Sequence, residues 1–174
     1  MMNTRRMTTD AMLMAIYVVL SILTPVKIAN FKFTFEAFPI LVAGLLLGPV
    51  DGLIVGGLGS AVYQIFFSGY GLMITTPLWI LPHAVSGIIV GLYAKKHDFE
   101  LSTSQYILIC IISALTVTFL NTVAIYIDAK VFGYYSFAYV FGSILIKIAI
   151  GIILAVLYAL IIPKLIKAIK NMQK

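Results

Sequence analysis

Apolar residues run along this chain in long unbroken blocks, not in the two-residue alternation of half-buried strands, and the breaks fall at charges, glycines and prolines. Divided there, the sequence predicts six helices, at about 9–27, 36–48, 50–67, 78–94, 105–127 and 139–163. The second is short and interrupted by Pro39. Continuous apolar runs argue against a transmembrane β-barrel, which would need short alternating strands. The expected fold class is all-α: a polytopic six-transmembrane-helix bundle, with residues 1–174 forming a single membrane domain.

Composition agrees with that pattern. The chain is 62% hydrophobic and 10% charged, more apolar than a soluble domain of 174 residues tolerates. The net charge of +6 raises the question of nucleic acid, but the bases flank apolar segments and form no soluble basic patch. Arg5 and Arg6 precede the first helix, Lys95 and Lys96 follow the fourth, and Lys164, Lys167, Lys170 and Lys174 follow the sixth. Six spans put these eight on one side and leave Lys27, Lys32 and Lys130 on the other, so the positive-inside rule predicts cytoplasmic termini. With further spans after the first helix and no small-residue cleavage site, no signal peptide is expected.

The longer connections, 28–35, 68–77 and 128–138, all fall on the predicted outer side and hold Phe31, Phe33, Phe35, Gly69, Tyr70, Gly71, Tyr134 and Tyr135. The inner connection at Gly48-Pro49-Val50-Asp51-Gly52 is only a tight turn. This asymmetry suggests a binding site reached from outside; an interfacial aromatic belt is the competing reading.

Lys147 is the sole charge in the run from Tyr139 to Ile162. Eight residues of helix place it about 12 Å below one surface, too deep for easy snorkelling. A charge there is costly and marks a candidate site. Tyr139, Ser143, Lys147, Gly151 and Ala155 recur every four residues, giving the last helix one small, polar face. The ammonium would donate to a ligand's carboxylate, hydroxyl or ring nitrogen, or else to an interior carbonyl or Asp128 in a structural role.

Trp79 and His83 stand one turn apart on the fourth helix, suited to stacking on and hydrogen-bonding a small heteroaromatic ring. Asn121, on the fifth, offers a donor and an acceptor to a ligand or glues two helices together. Gly52, Gly56, Ser60 and Gln64 form a small-residue stripe for close packing, with Gln64 near its outer end as a weaker site candidate. Metal clusters, phosphate loops, nucleophile elbows and paired intramembrane carboxylates are missing from the sequence, so no catalytic residue, metal or cofactor is assigned. Cys110, the one cysteine, reads as a small core residue.

Ala11 and Ala15 make an AxxxA face on the first helix, and Ala43-Gly44-Leu45-Leu46-Leu47-Gly48-Pro49 leads through Asp51-Gly52 into a glycine-rich third helix. With six short helices, the whole resembles the substrate-binding S components of energy-coupling factor (ECF) vitamin transporters, closest to the folate-type branch. The resemblance implies a multi-pass protein of the bacterial plasma membrane that is not an enzyme and has no ATPase of its own. It implies capture of a small water-soluble vitamin outside, then toppling in the membrane on docking to a shared transmembrane coupling subunit driven by two cytoplasmic ATPase subunits. Ala11 and Ala15 would be the docking face, the first outer loop and Gly69–Thr76 the gate, and Lys147 part of a cationic stretch of the last helix.

The sequence departs from the folate-type pattern at Gly59 and Ser60, where an acidic residue is usual, and at 143–145, where an arginine is expected. Folate's two carboxylates invite bidentate guanidinium clamps, so a smaller and less anionic ligand is expected. Pyridoxine or hydroxymethylpyrimidine is favoured; pantothenate or folate is the alternative. The readings of another class are a membrane scaffold and a self-sufficient small carrier.

Overall fold

The computed structural model describes residues 4–24, 26–28, 31–33, 35–69 and 71–172, with backbone alone over the two short strands. Tyr70 and Lys174, and the side chains of Lys27, Phe31, Lys32 and Phe33, lie outside the described residues. The elements are α1 (Thr4–Leu23), β1 (Val26–Ile28), β2 (Phe31–Phe33), α2 (Ala37–Leu47), α3 (Pro49–Phe66), α4 (Thr76–Lys96), α5 (Thr103–Val131), α6 (Phe137–Phe141) and α7 (Ile144–Met172).

The chain is a helical bundle, and three features differ from the sequence reading: the first outer connection, the last helix and the continuity of α2. The first outer connection, read as a loop, contains an antiparallel hairpin pairing Val26 with Phe33, Lys27 with Lys32 and Ile28 with Phe31. Val-Lys-Ile and Phe-Lys-Phe alternate with the period of two that suits a strand, in a stretch too short for the helical period to assert itself. The last helix is not continuous either: Gly142 and Ser143 form a turn that separates α6 from α7. Glycine weakens a helix interior, and Ser136 caps α6 by accepting a hydrogen bond from the Tyr139 N–H.

Among the described residues, four stretches are long and apolar enough to cross a membrane: Thr4–Leu23, Thr76–Lys96, Thr103–Val131 and Phe137–Asn171. Among them runs α2, only 11 residues long, buried from Pro39 to Leu45 and so shielded from lipid. Pro39 sits in its first turn, where the ring removes no helical hydrogen bond, so α2 is short but unbroken. At Gly48 the backbone takes φ 113°, a conformation open to glycine, and Pro49 then starts α3. Ser102 caps α5 in a reciprocal capping box with Gln105.

Packing centres on α4, which lies against α2, α3 and α5; α1 covers α2 and α3, and α7 packs mainly on α5. The closest seam is α3 on α4. A Cβ on Gly52 would run into the Gly87 carbonyl, one on Gly56 into the His83 carbonyl, and one on Gly87 into Gly52. The small-residue stripe of the third helix is thus a backbone-to-backbone contact.

The start of α1 and the end of α7 lie at one end. Arg6, near the start of α1, bonds Asp51 and the Leu47 carbonyl at the α2–α3 turn. Lys170, near the end of α7, donates to the Phe99 carbonyl in the α4–α5 connection at 3.3 Å. The hairpin and the 67–75 and 132–136 connections occupy the other end.

Candidate functional site

Two side-chain contacts fix the relative heights of the helices. Ser86 Oγ on α4 and Ser113 Oγ on α5 are 2.6 Å apart, and a Cβ on Gly151 of α7 would lie 3.7 Å from Thr118 Oγ1 of α5. Stepping from these points at about 1.5 Å per residue puts Trp79 about 10 Å, Asn121 about 12 Å and Lys147 about 14 Å toward the hairpin end from the serine pair. Three of the residues singled out from sequence therefore share one level on three different helices. His83 lies lower, about 5 Å from the serines, and Gln64 higher, about 17 Å through the Gly52–Gly87 contact.

His83 is only 7% exposed, where α4 meets α1 and α2. Its Nε2 is 3.7 Å from Glu36 Oε1, at the start of α2, and its ring meets the Tyr17 ring edge-on at 5.7 Å. Glu36 Oε2 lies 2.8 Å from Ser21 Oγ, which is also 2.8 Å from the Tyr17 carbonyl, so one hydroxyl hydrogen serves two acceptors. Tyr158 packs nearby, its ring 6.4 Å from Phe35 and 5.9 Å from Phe38, the aromatics on either side of Glu36.

Glu36, Ser21, Tyr17 and Tyr158 were not legible as site residues from sequence. The available signal was a lone carboxylate between Phe35 and Phe38, the same anomaly that marks Lys147. Ser21 and Tyr17 carry no such mark, since their roles come from α1 lying beside α2.

Lys147 is half-buried in the first turn of α7, just past the Gly142–Ser143 turn. Among the described residues its ammonium has no ion pair or hydrogen bond; Asp128, the partner considered for it, instead accepts from the Tyr134 hydroxyl. Ser143 lies in the turn itself, half-buried. Tyr139, on α6, is 43% exposed and meets Tyr134 edge-on at 5.6 Å. The interruption displaces it from the stripe that continues inward through Gly151 and buried Ala155. Gln64 is half-buried, and its backbone carbonyl accepts from the Ser68 hydroxyl at 2.6 Å.

A separate groove of about 270 Å³ is lined by Phe119, Thr122, Val123, Tyr126, Phe141 and Ile144. Its surface is wholly apolar and Phe119 is exposed, so it faces lipid and offers nothing to orient a polar ligand. Ala11 and Ala15 are exposed on α1, beside exposed Met7, Met12, Ile16 and Val19, while Asp10, Tyr17 and Ser21 turn inward.

The fold has close relatives among solved structures. An S component for biotin from an ECF-type ABC transporter superposes with a TM-score of 0.73 at 20% identity, covering 96% of this chain and 95% of that one. FolT bound with folic acid gives 0.70 at 23% identity over 92% of both chains. The S component of a bacterial ECF transporter gives 0.69 at 24% identity over 95% and 98%. A UPF0397 protein from Streptococcus pneumoniae (strain Hungary19A-6) is 32% identical over 84 residues, 47% of this chain and 43% of that protein, so less than half of that relative is matched.

At such identities the structural likenesses establish the shared bundle, and the family follows from the sequence as a whole. Residues 5–166 match the model for the substrate-specific component of ECF transporters. The chain therefore belongs to the ECF transporter substrate-specific components, integral multi-pass proteins of the bacterial plasma membrane that serve as transport subunits and not as enzymes.

Proposed function

We propose that this S component captures a small water-soluble vitamin at the hairpin end of the bundle, with pyridoxine or hydroxymethylpyrimidine favoured. The observation that carries the reading is the shared level of Trp79, Asn121 and Lys147 above the buried His83–Glu36 pair. An indole, an amide and an ammonium at one level suit a compact heteroaromatic alcohol: a face to stack on, a donor and acceptor, and a cation for a hydroxyl or ring nitrogen. Gln64, Ser143 and Tyr139 belong to the outer rim of the same site.

The hairpin end faces outward in this reading, because Arg5, Arg6, Lys95, Lys96, Lys164, Lys167 and Lys170 gather at the other end and the positive-inside rule puts that end in the cytoplasm. The chain acts as one membrane domain. The first outer connection and Gly69–Thr76 gate the pocket. Ala11 and Ala15 dock on a transmembrane coupling subunit, whose two ATPase subunits drive release; their exposure on α1 supports this.

Pantothenate is the second reading, supported by the Lys147 ammonium, which has no ion pair among the described residues and could meet a single carboxylate. Folic acid, bound in one structural neighbour, and biotin, for which another neighbour is the S component, complete the comparison. Purified protein in detergent, tested by thermal shift and calorimetry against this panel, decides among them. Binding of pantothenate alone overturns the heteroaromatic reading. Failure to bind any vitamin favours a scaffold, and uptake by the reconstituted chain without coupling and ATPase subunits would show a self-sufficient carrier.

A further inference from the structure

Six acidic residues occur in the chain, and five are placed away from the bundle's outer interior. Asp10, Asp51, Asp98 and Glu100 lie at the end that holds the start of α1 and the end of α7, with Asp51 bound by Arg6. Asp128 sits near the outer end of α5 and accepts from Tyr134. Glu36 alone projects among aromatic rings between α1, α4 and α7, its side chain 20% exposed.

Among the described residues the carboxylate is held in place but not saturated. Ser21 supplies a shared hydrogen to Oε2, and His83 Nε2 stands 3.7 Å from Oε1, beyond hydrogen-bonding distance. A carboxylate accepts about four hydrogen bonds and gains most when a charged donor meets it away from water. The Tyr158 hydroxyl is a second, independent sign. The residue is 5% exposed, and its oxygen has no hydrogen-bond partner among the described residues, although buried hydroxyls ordinarily find one. Side chains on a helix lean toward its N-terminus, which on α7 is the outer end, so this hydroxyl rises toward the level of Glu36.

We infer that Glu36 is the anionic contact of the vitamin site, selecting a flat heteroaromatic ligand that carries an amino group or a protonated ring nitrogen, with the Tyr158 hydroxyl as a second contact. The inference rests on the reading of this pocket as a vitamin site, and it narrows the ligand class within it. Positive or donor-rich rings gain from the carboxylate and from the Tyr17, Phe35 and Phe38 rings around it. A ligand carboxylate is repelled at this depth and must turn to Lys147, whose level is about 9 Å further out. Of the two favoured vitamins, the aminopyrimidine alcohol fits better than the pyridine alcohol.

Pyridoxamine and pyridoxine form a matched pair, sharing a ring and differing by an amine in place of a hydroxyl. Calorimetry on the intact protein is expected to show pyridoxamine binding at least about tenfold more tightly, since a charge-assisted hydrogen bond replaces a neutral one. Glu36→Gln should weaken pyridoxamine binding more than pyridoxine binding and bring that ratio close to one. Ser21→Ala keeps the carboxylate, so the preference should survive there even if Glu36→Gln folds poorly. Equal affinities in the wild type, or a ratio unchanged in Glu36→Gln, overturn the inference and leave the vitamin reading standing. Binding of none of the panel, with the protein folded, overturns both.

Discussion

Arg6 holds Asp51 through two nitrogens: Nε donates to Oδ1 at 2.5 Å, and Nη2 donates to Oδ2 and also to the Leu47 carbonyl at 2.7 Å. Asp51 is fully buried, so this clasp both neutralises it and ties the first turn of α1 to the α2–α3 turn. Removing the guanidinium strands a buried carboxylate. Arg6→Met is expected to cost about 2–3 kcal/mol, toward the low side for a buried pair because the Arg6 side chain is 41% exposed. Thermal unfolding in detergent measures the loss, and Arg6→Met combined with Asp51→Asn should recover part of it. An unchanged melting temperature in the single variant would mean the pair contributes nothing.

The α3–α4 seam makes a prediction with an internal control. Gly87→Ala places a methyl in the Gly52 backbone and should destabilise by about 3 kcal/mol or more, because backbone cannot step aside as a side chain does. At Gly57 the added carbon would sit 3.6 Å from the Ala84 Cβ, an ordinary contact, so Gly57→Ala should be neutral or stabilising through helix propensity. Melting temperatures of the two variants should move differently, and equal losses would contradict the seam.

Lys147→Met removes the donor but keeps the length of the chain. Vitamin affinity should fall at least about tenfold, the scale of a lost charged hydrogen bond, with no loss of thermal stability, because no described residue pairs with this ammonium. Calorimetry separates the outcomes. Unchanged affinity would make the lysine irrelevant to the ligand, and a collapse in stability would make it structural.

Ala11→Leu and Ala15→Leu add bulk to an exposed face and should leave folding and vitamin affinity intact. Co-purification with the coupling subunit should be lost if close helix approach at these alanines makes the joint. Retained co-purification in the double variant would place the docking surface elsewhere.

Much of the bundle was legible because membrane helices announce themselves by length and by charged ends, and the glycine stripe at Gly52 and Gly56 reads directly as close packing. The hairpin was not, since three residues per strand are too few for a period to stand out. The Gly142–Ser143 turn was hidden inside a run of unbroken hydropathy, which registers polarity but not local backbone geometry. Lys147, Trp79 and Asn121 stand out in the sequence because each is unusual where it stands. Glu36 escaped because it lies at a helix start, where a carboxylate looks commonplace until His83 and Ser21 are seen beside it.

Side chains normally let packed helices slide past one another by small rotamer adjustments. Gly52, Gly56, Gly87 and Gly91 leave almost nothing between α3 and α4 to adjust, so the two helices move as one body. Trp79 and Gln64, carried on that body, form a fixed wall. Across from them α5 and α7 meet near Gly151 through Ala114 and Thr118 side chains, at ordinary contact distances. Among the helices, any movement that accompanies opening of the outer connections is therefore expected of α5 and α7, which carry Asn121 and Lys147, and not of α3 and α4.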